Sequence, residues 1–102
     1  MNKIGYDERK VVYQELLAQN GQERQVKKAI EELGELIVEL AKVAAGEGRK
    51  GALAEEIADV TIMLEQLRIM FGMNESVSLY MDMKIRRAAE NLGMERRGYG
   101  EV

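Results

Sequence analysis

No proline interrupts the 102 residues of this chain, and each of its four apolar-periodic segments closes at a glycine. Proline is the residue that helix interiors tolerate least, at about 3 kcal/mol each, whereas Ala, Leu, Glu, Lys, Arg and Met, all plentiful here, are the better helix formers. The pattern predicts an all-α chain. The first helix is expected over about Asp7 to Ala18, closed by Asn20-Gly21, and the second over about Glu23 to Ala45, ahead of the glycine-rich 46–51. A third runs from about Ala52 to Phe71 and stops at Gly72; Asn74 or Ser76 then caps a fourth that reaches Leu92 before Gly93. Residues 94–102, with Gly98 and Gly100 and little to bury, read as a mobile tail. No internal repeat or second-domain boundary is visible, so one domain is expected.

Helical spacing sorts the side chains into faces. On the second helix Val26, Ile30, Leu33, Ile37, Leu40 and Ala44 form an apolar stripe, expected to be buried. Gln25, Lys28, Glu32, Glu35 and Glu39 form a polar one bordered by Leu36 and Val43, which places its acids at the edge of the core. The third helix has an apolar face of Leu53, Ile57, Val60, Leu64, Leu67 and Phe71, with Glu56, Asp59, Met63, Gln66 and Met70 along its flank. Ile62 and Ile69 point elsewhere, which suggests a second covered face and hence a homodimer or homotetramer.

Several function classes fall away on composition. With neither cysteine nor histidine, disulfides, thiolate or imidazole zinc sites, and His-based triads are excluded. A cysteine-free chain with no signal-peptide pattern and no apolar run near the roughly 20 residues of a membrane span is expected in the cytoplasm. A net charge of −3 argues against gripping bulk nucleic acid.

What remains is carboxylate chemistry. Glu31-Glu32-Leu33-Gly34-Glu35 and Glu55-Glu56-Ile57-Ala58-Asp59 sit inside the two most hydrophobic stretches. Glutamates three or four apart are ordinary on a solvated helix face. Here Glu32, Glu35 and Glu39 repel one another with Lys28 as their near counter-charge, and a hard cation would turn that repulsion into binding. A ligand set of oxygens alone selects magnesium, or manganese, over zinc or copper.

At these residues the chain resembles the MazG-like all-α nucleoside triphosphate pyrophosphohydrolases, whose signature is Glu-Glu-x-x-Glu followed by Glu-x-x-Asp. It matches as Glu31-Glu32-Leu33-Gly34-Glu35 and Glu56-Ile57-Ala58-Asp59, within a similarity spanning about Gln25 to Leu67. The resemblance implies a four-helix bundle completed by oligomerisation, and cleavage of a (d)NTP between its α- and β-phosphates, as in nucleotide-pool house-cleaning. It also implies Mg2+ on Glu32, Glu35, Glu56 and Asp59, with Glu31 orienting or activating the attacking water. Fourth-helix basic residues contact phosphate in the family, a role that Lys84 and Arg87 match loosely; Ala88 stands where many relatives carry an asparagine.

Charge considerations lead the same way. A triphosphate is repelled by bare carboxylates and reaches them only through cations, and without histidine a carboxylate such as Glu31 is the natural proton acceptor. Lys84, Arg87 and Asn91 recur at i, i+3, i+7 with Tyr80 a turn earlier, forming either a phosphate-binding ridge or a solvated basic face. Lys28 is either a phosphate contact or a helix salt-bridge partner, and Met63 and Met70 either line a base pocket or fill core. The rival readings are a non-enzymatic helical interaction module and a hydrolase of another phosphorylated substrate on the same fold.

Overall fold

A computed structural model describes residues 2–94 of the chain, and the expected tail lies, apart from Met94, outside the described residues. The elements are α1 (Tyr6–Asn20), α2 (Gln22–Ala44), α3 (Lys50–Met70) and α4 (Asn74–Asn91), with no strand among the described residues. The all-helical expectation holds, and the helix ends fall close to the expected ones. One cap differs: Met73, not Asn74 or Ser76, occupies the N-cap of α4, which has no side-chain cap hydrogen bond. The chain divides into two compact units, residues 1–71 and 72–102.

In the first unit α2 and α3 form the main packing pair, and α1 rests on both. Gly21 makes the α1–α2 corner. Its φ of +83° is a conformation that side-chain-bearing residues disfavour, and its N–H caps α1 by donating to the Leu17 carbonyl. Between α2 and α3 the loop doubles back so tightly that Glu47 and Gly48 both donate N–H to the Lys42 carbonyl. A Cβ on Gly48 would land on the Val43 Cγ2 and 2.8 Å from the Val43 backbone nitrogen, so only glycine fits. Gln25 meets Gln66 near one end of the pair while Glu32 and Glu35 meet Glu56 and Asp59 further along, which makes α2 and α3 antiparallel.

The seam between them is not the expected one. Ile30, Leu33, Ile37 and Leu40 of α2 are exposed, Ile37 by 66%, and Val26 is only half-buried. The residues turned inward are Gln25, Ala29 and Glu32 on α2 and Val60, Met63 and Gln66 on α3. On α3 the expected apolar face is similarly open at Ile57, Leu64 and Phe71, with Val60 its one buried member. Small and polar side chains let the two helices approach closely, and the larger apolar stripes are left on the outside. Ile62 lines a cleft with Ile4, Val12, Tyr13 and Leu16 of the α1 side and stays exposed there.

A polar clasp fastens α1. The Arg9 guanidinium donates from Nε and Nη2 to the two carboxylate oxygens of Glu65, each at 2.9 Å, and the Tyr13 hydroxyl donates to Glu65 Oε1. The Arg9 hydrogen bonds hold the Glu65 carboxyl below its ordinary range. Burial, reinforced by the Glu65 hydrogen bond and charge, pushes the Tyr13 phenol up to about 12. In the second unit α4 ends with Gly93 and Met94 donating to the carbonyls of Glu90 and Ala89; Ala89 is its buried residue. No helix among the described residues is long and apolar enough to cross a membrane.

Candidate metal centre

Side chains three apart on a helix share a face, so the antiparallel α2–α3 pair sets Glu32 and Glu35 against Glu56 and Asp59. One carboxylate oxygen from each of the four lies within 4.8 Å of all the others. Glu32 is buried and Glu56 half-buried, whereas Glu35 is exposed, so the cluster is set into the seam and open on one side.

Two of these oxygens are anomalous. Glu32 Oε2 and Glu56 Oε2 are buried without a hydrogen-bond partner, which is unfavourable for an ionised carboxylate. Desolvation, followed by the charges of Glu35, Asp59 and Glu32, raises the Glu56 pKa. Glu56 thus holds its proton more readily than an isolated glutamate does. The cluster is short of positive charge.

Lys28 offsets part of the deficit. Its Nζ stands 3.0 Å from Glu32 Oε1 and 3.6 Å from the Glu31 carboxylate, and the hydrogen bond to Glu32, with the charges of both acids, raises its pKa. Glu39, counted in sequence among the repelling acids, has its own cation: Lys42 Nζ lies 3.2 Å away. Glu31 is exposed beside the cluster, and Lys84, Arg87, Asn91 and Tyr80 are exposed on α4 in the second unit.

The residues fit a hard divalent cation. All four donors are oxygen, and ligands around one magnesium at roughly 2.0–2.1 Å span at most about 4.2 Å, within a small rotamer adjustment of the observed spread. Two carboxylate oxygens of these same residues lack any partner.

Beside the acids lies a pocket of about 260 Å³ lined by Leu16, Asn20, Arg24, Gln25, Lys28, Met63 and Gln66. Lys28 belongs to both sites. A hydrogen-bonded side-chain chain crosses the pocket wall: Asn20 Nδ2 donates to Gln25 Oε1 at 3.0 Å, Gln25 Nε2 to Gln66 Oε1 at 2.8 Å, and Gln66 Nε2 to Met63 Sδ at 3.5 Å. Sequence reasoning did not single out Asn20, Gln25 or Gln66 as functional. Their one signal was position, because Gln25 continues the polar stripe of Glu32 and Glu35, and Gln66 continues the flank of Glu56 and Asp59.

No family model matches this chain, and no curated protein or solved structure matches it either.

Proposed function

We propose that the chain is a magnesium-dependent nucleoside triphosphate pyrophosphohydrolase, converting (d)NTP and water to (d)NMP and pyrophosphate. The observation that carries this reading is the convergence of Glu32, Glu35, Glu56 and Asp59, with two buried carboxylate oxygens lacking any donor. Acids buried without donors disfavour a purely solvated face. The similarity to the MazG-like signature supplies the reaction.

In this reading the four acids hold Mg2+, or Mn2+. The cation, when bound, neutralises phosphate oxygens and acidifies a water. Glu31, exposed next to the ligands, accepts the proton of the attacking water as its oxygen bonds to the α-phosphorus. The bond from that phosphorus to the α,β-bridging oxygen breaks, and pyrophosphate leaves with the electron pair. Lys28 fixes the Glu32 carboxylate through its 3.0 Å contact and presents a cation at the pocket mouth. The resemblance assigns a phosphate-binding role loosely to Lys84 and Arg87, and spacing on α4 sets Asn91 on the same ridge.

We further propose that a second copy of the chain covers the open stripe of Ile30, Leu33, Ile37 and Leu40 and completes a bundle. No side chain among the described residues is less than 2% exposed, so a single copy has a thin core. The same stripe favours the second reading, a helical interaction module whose acids have no chemistry.

A screen of nucleotides with Mg2+, scoring released pyrophosphate against released phosphate, tests the enzyme reading. Pyrophosphate from at least one triphosphate, suppressed by EDTA, is the expected result. Phosphate alone would point to another phosphorylated substrate. Absence of both, with a melting temperature indifferent to magnesium plus nucleotide, would leave the module.

A further inference from the structure

The contacts between α2 and α3 share one offset. Gln25 and Glu32 lie seven residues apart on α2, as Asp59 and Gln66 do on α3, and seven residues are close to two helical turns, so each pair shares a face. In an antiparallel pair, the offset that sets Gln66 opposite Gln25 also sets Met63 opposite Lys28, Asp59 opposite Glu32 and Glu56 opposite Glu35. The contacts agree: Gln25 Nε2 donates to Gln66 Oε1 at 2.8 Å, Lys28 and Met63 line one pocket, and the four acids each bring an oxygen within 4.8 Å of the others.

Little else in the seam measures that offset. Its buried apolar residues are Ala29 on α2 and Val60 and Met63 on α3. Alanine is too small to act as a knob, and methionine adapts to what faces it. The connection 45–49 holds only the closed end of the α2–α3 hairpin, and Gly46 and Gly48 within it take up new backbone conformations readily. The Arg9–Tyr13–Glu65 clasp binds α3 to α1 and reaches α2 only through the corner at Gly21. The glutamine bond joins α2 to α3 directly, at the open end. At 4% and 5% exposed, Gln25 and Gln66 have no bulk water as an alternative partner. Asn20 Nδ2 donates to Gln25 Oε1 and Gln66 Nε2 to Met63 Sδ, which holds both side chains in place.

We propose that the Gln25–Gln66 bond fixes the register of α2 against α3, and that both glutamines are thereby positioning residues for the Glu32–Glu35–Glu56–Asp59 cluster. A slide of one turn is about 5.4 Å, more than the 4.8 Å within which the acid oxygens gather. In one direction it sets Met63 opposite Glu32 and Gln66 opposite Ala29. In the other it sets Asp59 opposite Ala29 and Met63 opposite Gln25. Either slide scatters the acids and parts two buried amides from each other, and a buried amide without its partner is costly. A lone polar residue specifies register in coiled-coil seams by the same penalty. Turning the amides over changes nothing, since a reversed pair bonds at the same offset. The metal belongs to the function proposed above; the register does not.

The test replaces both glutamines with methionine, which matches their length and has no amide. Removing both partners together leaves neither of these two amides unpaired, so Gln25→Met/Gln66→Met is expected to unfold in urea, with EDTA present, at a midpoint equal to or above that of the unmodified chain. Its Mg2+ dissociation constant by calorimetry should nonetheless rise about tenfold or more, as when residues that orient metal ligands are lost. A merely structural role would lower the midpoint and spare the affinity of the folded chain. The register itself is read without metal. Lys27→Cys and Ala54→Cys place spin labels at exposed positions on the two helices, in a chain with no cysteine of its own. Diluted with unlabelled chain, they should give one narrow dipolar distance, and a broadened or shifted one once the glutamines are replaced. Unchanged Mg2+ affinity in the folded variant, or an unchanged distance distribution, would overturn the proposal. Should the methionine pair not fold, leucine at both positions takes its place with the same readouts. The two proposals fail separately: an unmodified chain that binds no Mg2+ removes the metal reading, and the label distances still decide the register.

Discussion

Lys28 Nζ lies 3.0 Å from one oxygen of Glu32, while the other oxygen of the same carboxylate is buried with no partner at all. The carboxylate, which joins Glu35, Glu56 and Asp59 in the acid cluster, thus has one oxygen held and one without a partner. Half of its charge is answered within the helix. The other half has no counterpart among the described residues, and in the proposed function a cation supplies it.

Removing one ligand charge should therefore break the metal site and leave the fold. Glu35→Gln and Asp59→Asn are expected to lower pyrophosphate release by at least a hundredfold, as loss of about 2.7 kcal/mol of transition-state stabilisation would, with far-UV circular dichroism unchanged. Full turnover in either purified variant would refute the ligand assignment.

Glu56 supplies a test without catalysis. Its raised pKa means that its charged form is the less stable one in the metal-free fold. A raised pKa contributes stability that is present below the ordinary value and lost as pH climbs through the folded one. Glu56→Gln should consequently melt higher than the unmodified chain in EDTA at pH 7, and the gap should shrink as pH falls toward 5. With magnesium at a hundred times its Kd the unmodified chain gains about 2.7 kcal/mol, and the variant should gain almost nothing. Acids that merely face solvent would show neither behaviour.

The clasp on α1 predicts pH dependence at both extremes. Glu65 is held below its ordinary pKa by Arg9, so its contribution is present above about 4.5, the unperturbed value, and is lost on further acidification. Tyr13, raised from 10.0 to about 12, contributes fully below 10 and loses that contribution between those values. Tyr13→Phe removes a hydrogen bond to a charged acceptor and should cost about 1.5–3 kcal/mol at neutral pH. Urea unfolding at pH 7 and pH 11 would check this, the penalty being smaller at the higher pH.

Helix content and helix ends could be read before any coordinates because they follow from local chemistry, namely proline absence and the glycines at 21, 46, 72 and 93, all of which adopt positive φ. The four acids were legible for a similar reason, since i, i+3 pairs on two helices need only an antiparallel register to meet. What the pattern misassigned was the inside. Helical periodicity finds an apolar stripe such as Ile30, Leu33, Ile37 and Leu40 but does not say whether its cover lies within the same chain. The Arg9–Tyr13–Glu65 clasp and the Gln25–Gln66 bond join residues more than 40 positions apart; helical position put Gln25 and Gln66 beside the acids, but a single sequence does not show which residues pair across helices.

That misplaced stripe leads to the last prediction. Ile30 and Ile37, 64% and 66% exposed, lie seven apart on the same face of α2 with Leu33 and Leu40 beside them. Burying an isoleucine is worth about 1.5–3 kcal/mol, so a second copy covering both would gain several kcal/mol from these two alone. Light scattering at micromolar concentration should give a dimer or larger. Ile37→Glu should shift it toward monomer, raising the dissociation constant by at least tenfold, about 1.4 kcal/mol. The substituted side chain sits on an exposed part of α2, so helicity should persist. A monomer mass for the unmodified chain would show that α2 carries its apolar face uncovered, and would shift the balance toward a module awaiting a different partner.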